Sequence, residues 1–136
     1  MRRAPLIAVL LLVSASLAFA GDPKPAPTAT PPRLITPGAL ASLLRHKDFV
    51  LVNVHVPYEG EIQGTDAHLA YDRIEAELTR WPSRKSTPIV VYCRSGSMSA
   101  MAARTLARLG YTDVRDLSGG MAAWREAGYP LIQRPR

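Results

Sequence analysis

The sequence contains a single cysteine, Cys93, among its 136 residues. With one thiol, the chain lacks a partner for an internal disulfide, and a zinc site built from several thiolates is excluded. The three histidines, His46, His55 and His68, show no metal-ligand spacing. We therefore expect no metal, and the isolated Cys93 is either a buried, inert thiol or a reactive one.

Aromatic residues are also few, at 7% of the sequence. No stripe of aromatic and basic side chains occurs of the kind that binds single-stranded nucleic acid. The formal net charge is +6, but the basic residues are scattered from Arg33 to Arg136, which favours solubility and weak attraction for anions. The composition therefore predicts no nucleic-acid partner.

No apolar run is long enough for a typical membrane span. The longest runs from Leu6 to Phe19, about 14 residues against the ~20 that a spanning helix requires. The pair Arg2-Arg3 precedes it, and Ala18-Phe19-Ala20 places small residues where a signal peptidase reads. We predict that residues 1–20 are a secretory signal and that the protein is exported to the periplasm. The alternative is a membrane anchor formed by an uncleaved signal.

Proline is concentrated ahead of the predicted folded part. Five of the twelve prolines lie between Gly21 and Pro32, and such a stretch forms neither a helix nor a strand ladder. We predict a Pro-rich tether over residues 21–32 and one domain over residues 33–136, because the remaining length suits a single domain.

Strand and helix patterns alternate along that domain. The valine-rich runs 49–54 and 88–92 are typical of strands buried on both faces of a parallel sheet, and shorter strands are predicted at 34–36 and 114–117. Helices are predicted at about 37–46, 72–80, 98–109 and 121–127, with an irregular stretch at 55–70. The alternation predicts an α/β fold with a small, mainly parallel sheet flanked by helices.

Residues that could form a reactive site follow the 88–92 strand, in the segment Cys93-Arg94-Ser95-Gly96-Ser97-Met98-Ser99. Open α/β sheets place ligands at the carboxyl ends of their strands. The loop N–H groups and the following helix N-terminus favour an anion, and Arg94 adds a positive charge. These features favour a thiolate or a persulfide anion on Cys93 over the neutral thiol.

This loop resembles the active-site loop of the rhodanese family, in which Cys-Arg-x-Gly follows a buried strand and precedes a helix. The resemblance continues in Leu51-Val52-Asn53-Val54, in Gly110-Tyr111-Thr112-Asp113-Val114 and in Leu117-Ser118-Gly119-Gly120-Met121-Ala122-Ala123-Trp124. It implies a rhodanese-like fold and a sulfurtransferase, in which Cys93 takes a sulfur atom from a small sulfur-containing donor as a persulfide. The persulfide would then yield the sulfur to a thiol or cyanide-like acceptor.

The resemblance also implies the binding residues and the absence of a cofactor. The substrate cradle would consist of Arg94, Ser95, Gly96, Ser97, Met98 and Ser99. No metal or organic cofactor is implied, and we expect a monomer.

Two departures from the family pattern bear on the donor. Family members commonly have Asp-Val-Arg where this chain has Asn53-Val54-His55, and many thiosulfate-using members have a basic residue where it has Met98. A thioether does not pair with an anion. We therefore expect weak use of thiosulfate, which leaves other sulfane-sulfur compounds as candidate donors.

The stretch 57–66 replaces the connection that is usual in the family. It is either a rim loop that selects the substrate, with His55, Tyr58 or Glu59 in reach of Cys93, or a solvated loop. The sequence leaves both interpretations open.

Two other functions compete with sulfur transfer. A cysteine phosphatase also holds a thiolate in an anion-binding loop, but it needs an arginine six positions after the cysteine, where this chain has Ser99. The alternative that remains is a catalytically weak rhodanese-like binding or sulfur-sensing module, because a fold does not fix a function.

Overall fold

The computed structural model describes Ser16, Ala18, residues 21–24 and residues 28–135. Most of the predicted signal segment and part of the predicted tether lie outside the described residues. The described residues ahead of Arg33 form no helix or strand. In the part of the chain that is described, no helix has the length and apolarity needed to cross a bilayer.

Five parallel strands form one sheet with helices on both faces. In chain order the elements are β1 Arg33–Ile35, α1 Pro37–Leu44, β2 Val50–Asn53, β3 Ala67–His68, a 3₁₀ turn Leu78–Arg80, β4 Ile89–Tyr92, α2 Ser97–Arg108, β5 Val114–Leu117 and α3 Gly120–Glu126. The strand order is β1-β5-β4-β2-β3, and every pairing is parallel. The predicted α/β class with a parallel sheet is confirmed, and β4 is the central strand.

The apolar runs of the sequence arise because both faces of the sheet are covered. On β4, Ile89 and Val91 face a core cluster that includes Leu106 of α2. The alternate residues Val90 and Tyr92 face a second cluster, formed with Leu40, Leu117, Met121 and Trp124. Residues of β4 are fully buried on either side, so the strand that leads into Cys93 is held rigidly.

The predicted helix over 72–80 is wrong. Only the 3₁₀ turn Leu78–Arg80 is regular, and the single i→i−4 bond in this stretch runs from the Glu77 N–H to the Arg73 carbonyl over 2.9 Å. A segment this short gains little from helix propensity, so packing decides its conformation. Burial of Ile74 and an extended Trp81 ahead of Pro82 fix the chain instead.

The stretch 55–70, predicted to be irregular, contains the strand β3. Its two residues pair with the end of β2, in the register Val52↔Ala67 and Asn53↔His68. A strand of two residues is too short to show the alternation by which strands are predicted. It forms because the outer edge of β2 offers unpaired backbone groups.

Candidate active site

Cys93 follows the last residue of the central strand. Cys93 is 1% exposed, and β4 is parallel to both of its neighbours, so Cys93 lies in the middle of the carboxyl edge of the sheet. Gly96, three residues on, has φ +112°, a left-handed conformation that glycine adopts without steric cost. This turn brings the Gly96 N–H to the sulfur, and it donates to Cys93 Sγ over 3.0 Å.

Ser99 makes the second polar contact to the sulfur. It lies in the first turn of α2 and is fully buried. The Cys93 thiol donates to Ser99 Oγ over 3.4 Å, and the Ser99 hydroxyl donates to the Gly96 carbonyl over 3.2 Å. The Gly96 N–H is therefore the donor that can stabilise a sulfur anion. The Ser99 hydroxyl contacts the sulfur as an acceptor, because its own proton is directed at the Gly96 carbonyl.

The other residues of the predicted cradle lie farther out. Arg94, Ser95 and Ser97 are exposed, while Met98 is half-buried and packs against the same core cluster that contains Cys93. The structure therefore brings Gly96 and Ser99 to the sulfur, and it places Arg94 beside the opening of the site.

The start of α3 holds the loop from the opposite side. The N–H of Met121 donates to the Cys93 carbonyl, and that of Ala122 donates to the Arg94 carbonyl, each over 2.9 Å. Gly120 has φ +57°, and a Cβ added there would lie 2.3 Å from the Cys93 carbonyl oxygen. The sequence shows only a Gly-Gly turn here. Its contact with Cys93 depends on the distant ends of β4 and β5 meeting at one edge of the sheet.

The loop between β2 and β3 reaches the site through Glu59. Glu59 Oε2 accepts from Arg94 Nη1 over 3.2 Å and lies 3.0 Å from His55 Nε2. Buried Asn53 supports this arrangement, because its amide donates to the Gly60 carbonyl and its Oδ1 accepts from the His55 N–H, both over 3.0 Å. The residue that replaces the family's aspartate therefore fastens the loop without a charge.

Tyr92 fastens the far end of the same loop. Its hydroxyl accepts from the Ile62 N–H over 3.0 Å and shares a hydrogen bond with Thr65 Oγ1 over 2.7 Å. Burial raises the pKa of Tyr92 far above its ordinary value, so it acts as a neutral phenol. Tyr92, the last residue of β4, thus holds the loop on one face of the sheet, and the following residue, Cys93, carries the thiol.

A cleft of about 370 Å³ opens beside the loop; its lining residues are Glu59, Arg94, Met121, Ala122, Arg125 and Leu131. One carboxylate and two guanidinium groups surround an apolar floor. Arg125 of α3 carried no signal in the sequence that would have assigned it to the site. Among the residues that the structure describes, no three His, Cys, Asp or Glu side chains converge as metal ligands would.

The sequence profile of the Rhodanese-like domain family matches residues 36–127. A protein named Sulfurtransferase from Allochromatium vinosum is 36% identical over 89 residues, which cover 63% of this chain and 80% of that protein. An uncharacterized protein from Synechocystis sp. is 32% identical over 102 residues, which cover 73% of this chain. The chain spans only 55% of the length of that second relative.

Two solved structures share the fold. The solution structure of the polysulfide-sulfur transferase homodimer from Wolinella succinogenes has a TM-score of 0.63 and 25% identity, covering 77% of this chain and 81% of that one. The crystal structure of a rhodanese-related protein from Thermoplasma volcanium has a TM-score of 0.64 and 24% identity, covering 75% and 99%. The second likeness concerns the fold alone.

Proposed function

The chain belongs to the rhodanese-like domain family, and on that premise we propose that it is a sulfurtransferase that carries sulfur as a persulfide on Cys93. The observation that carries the proposal is the hydrogen bond from the Gly96 N–H to Cys93 Sγ, at the carboxyl end of the central strand. A backbone donor aimed at a sulfur atom stabilises that sulfur as an anion, which is the nucleophilic form.

The proposed reaction has two steps at one sulfur atom. The Cys93 thiolate attacks the outer sulfur of a donor; the donor's S–S or S–X bond breaks, and its electron pair leaves with the remainder of the donor. A thiol or cyanide-like acceptor then attacks the outer sulfur of the persulfide, and Cys93 leaves as a thiolate. The Gly96 N–H would hydrogen-bond to the Cys93 sulfur in both states.

The charges at the opening support a donor of low negative charge. Glu59 pairs with Arg94 over 3.2 Å, so this cation is partly neutralised before a substrate arrives. Half-buried Met98 brings no charge to the end of the loop. We propose weak use of thiosulfate, a dianion, and better use of organic persulfides, which carry less negative charge.

A second candidate function is a binding or sulfur-sensing module with weak turnover. The observation that favours it is the burial of Cys93, which is 1% exposed. The cleft beside Arg94 and α3 is not lined by Cys93, so restricted access to the sulfur, and with it slow turnover, is compatible with the same site.

We also propose that the protein acts as a monomer after export to the periplasm. The support for export is the pattern of residues 1–20 and the proline-rich stretch that follows. The mass of the protein from its native cell should correspond to a chain that begins at Gly21. Recovery of a membrane-held form that retains Met1 would contradict the proposal, and sedimentation would give the oligomeric state.

The sulfur-transfer proposal is tested by the intact mass of the purified protein. After incubation with a polysulfide, the mass should increase by one sulfur atom, and added cyanide should reverse the increase. Cys93→Ser should show neither change, because Cys93 is the only thiol in the chain. A persulfide that forms but turns over no faster than the uncatalysed reaction would favour the sensing module. No sulfur on Cys93 from any donor would contradict both functions.

A further inference from the structure

His55 is a buried histidine that the proposed sulfur transfer does not use. It is 7% exposed and lies where two neighbouring strands end. Asn53 of β2 and Tyr92 of β4 are register partners, and His55 and Arg94 each come two residues after this pair. The imidazole of His55 and the guanidinium that follows Cys93 therefore start from neighbouring positions at the carboxyl edge of the sheet.

One oxygen of Glu59 joins these two side chains. Glu59 Oε2 lies 3.0 Å from His55 Nε2, and it accepts from Arg94 Nη1 over 3.2 Å. The guanidinium is permanently charged, whereas an imidazole is the side chain that changes its charge between about pH 5 and 8. Two groups thus share one carboxylate oxygen, and only one of them changes its charge near neutral pH.

The backbone around Glu59 holds it beside the ring of His55. The His55 N–H donates to Asn53 Oδ1 over 3.0 Å, and the Asn53 amide donates to the Gly60 carbonyl over the same distance. The residues that flank Glu59 are therefore fastened to one buried side chain. Arg94, whose side chain is 66% exposed, is the member of the group that has room to turn away.

The elements around His55 carry a small set of titratable or charged side chains. They are Tyr58, Glu59 and Glu61 of the loop, His68 of β3, Arg94 of the β4–α2 loop and Arg134 of the C-terminal segment. His68 Nε2 lies 2.5 Å from the His55 carbonyl oxygen, so this contact is to the backbone and leaves the ring of His55 to Glu59. Glu61 pairs with Arg134. In the described part of the chain, the ion-pair partner of His55 is therefore Glu59.

We propose that His55 determines whether Arg94 is available to an anionic sulfur donor. A protonated imidazole makes a charge-assisted hydrogen bond to Glu59 Oε2, about twice as strong as the bond of a neutral ring. Its charge also balances the carboxylate, so Arg94 is free to turn to a negatively charged donor. When the imidazole loses its proton to solvent, the carboxylate pairs with Arg94 instead.

Within the proposed sulfur transfer, on which this role rests, His55 affects the choice of donor. The three side chains carry one net positive charge when the imidazole is protonated and none when it is neutral. Thiosulfate, a dianion, should therefore be used better in mild acid than at neutral pH, relative to a donor of lower charge. His55 does not contact the sulfur and acts on the donor through Glu59 and Arg94, so it is a positioning residue.

Alkylation of Cys93 with two reagents of similar size tests the proposal without a sulfur donor. Iodoacetate is an anion and iodoacetamide is neutral, and both react with the thiolate of Cys93, the only thiol in the chain. The ratio of the two rates cancels the thiolate fraction and reports the charge at the opening of the site. In the untagged protein this ratio should fall about threefold between about pH 5 and pH 8, which is the effect of one partly exposed charge.

Three variants cover every histidine in the chain. His55→Gln retains a side chain that can hydrogen-bond but does not titrate, so its ratio should stay low at every pH. The matched controls are His46→Gln, an exposed change after α1, and His68→Gln, which removes the neighbouring imidazole; both should keep the wild-type change. Glu59→Gln should give a high ratio even at about pH 8, because it frees Arg94 without a proton on His55.

Circular dichroism of each variant confirms that it is folded. A wild-type ratio that does not change with pH, or a change that persists in His55→Gln or disappears in His68→Gln, would overturn the proposal. If His55→Gln fails to fold, the wild-type, His68→Gln and Glu59→Gln profiles decide the question, and a low ratio for Glu59→Gln at the higher pH would overturn the proposal.

A second measurement decides the question if the buried thiol reacts with neither reagent. The affinity for sulfate, followed through the NMR signal of the Gly96 amide, should weaken about threefold over the same pH range in the wild type and remain constant in His55→Gln. Equal affinities of the wild type at both ends of the range would overturn the proposal. Failure of sulfur transfer would appear instead in the intact-mass experiment, which does not depend on the charge of His55.

Discussion

The backbone N–H of Met121 donates to the carbonyl oxygen of Cys93 over 2.9 Å, so the first turn of α3 is hydrogen-bonded to the residue that carries the candidate nucleophile. This contact joins the end of β4 to the end of β5. Only a residue without a side chain fits between them, because a Cβ on Gly120 would lie 2.3 Å from that oxygen.

Gly120→Ala should therefore displace the Cys93 loop. Persulfide formation should fall by more than the loss of folded protein accounts for. The left-handed conformation costs an alanine about 1–2 kcal/mol, and the clash with backbone atoms adds to it. We expect a lower free energy of unfolding in urea and a loss of persulfide formation in the fraction that remains folded.

Gly128→Ala is the control for this experiment. Gly128 also has a positive φ, +90°, but a Cβ there would meet nothing within 4 Å. It should lose stability from the conformation alone and retain sulfur loading. Equal losses of function in the two variants would show that α3 does not position Cys93.

Glu59→Gln should improve the use of thiosulfate. It removes the carboxylate that pairs with Arg94 and leaves that guanidinium free for an anionic donor. Both side chains are more than a third exposed, so solvent screens the gain, and about 1 kcal/mol, or fivefold in kcat/KM, is the upper range. A neutral organic persulfide should show little change, and raising the salt concentration should reduce the gain.

Glu75→Gln is the control, because Glu75 pairs with Arg108 on the surface, away from the cleft, with a more exposed carboxylate. It should leave kcat/KM for thiosulfate unchanged. If Glu59→Gln alters both donors equally, the loop acts on catalysis in general and does not select by charge.

Most of the sheet was predictable from the sequence because its strands are buried on both faces. The runs around Val52 and Val90 are continuous and apolar, which is the pattern of such strands. α1 was predictable from its cap, since Thr36 Oγ1 does accept from the Ala39 N–H over 3.1 Å with Pro37 in the first turn. Local signals therefore predicted the elements that build the carboxyl edge.

The contacts around the sulfur were less predictable because they join distant parts of the chain. Ser99 and Gly96 follow Cys93 closely, and the motif included them. Glu59 was one of three candidates, with His55 and Tyr58, and the sequence alone did not separate them. The structure pairs Glu59 with Arg94, a contact that depends on how the loop is placed against the end of β4.

Because of Asp113, the free energy of unfolding should depend on pH in the acidic range. Burial alone would raise the pKa of Asp113, but hydrogen bonds from Arg115 and Arg33 outweigh it and lower this pKa below 3.8. A carboxyl group with a lowered pKa stabilises the fold above its unfolded pKa, and the contribution is lost as pH falls through the folded value. Urea unfolding should show Asp113→Asn to be up to about 1 kcal/mol less stable at neutral pH.

That difference should vanish at a pH well below 3.8, where the wild-type carboxyl group is also protonated. A difference that persists undiminished in acid would mean that Asp113 stabilises the fold by packing, and its charge would then be irrelevant.

Arg134→Ala should destabilise the loop that carries Glu59. Glu61 is buried, 2% exposed, and its Oε1 pairs with the Arg134 guanidinium over 2.8 Å. Removing the cation takes one hydrogen-bond partner from a buried carboxylate. The loss of such a partner lowers the free energy of unfolding by about 1–3 kcal/mol. Glu61→Gln in the same chain removes the charge that needs compensation, so the double variant should lose less than the sum of the two single variants. Urea unfolding of the four proteins gives the coupling energy. Strict additivity would show that the C-terminal segment and the loop do not stabilise one another through this pair.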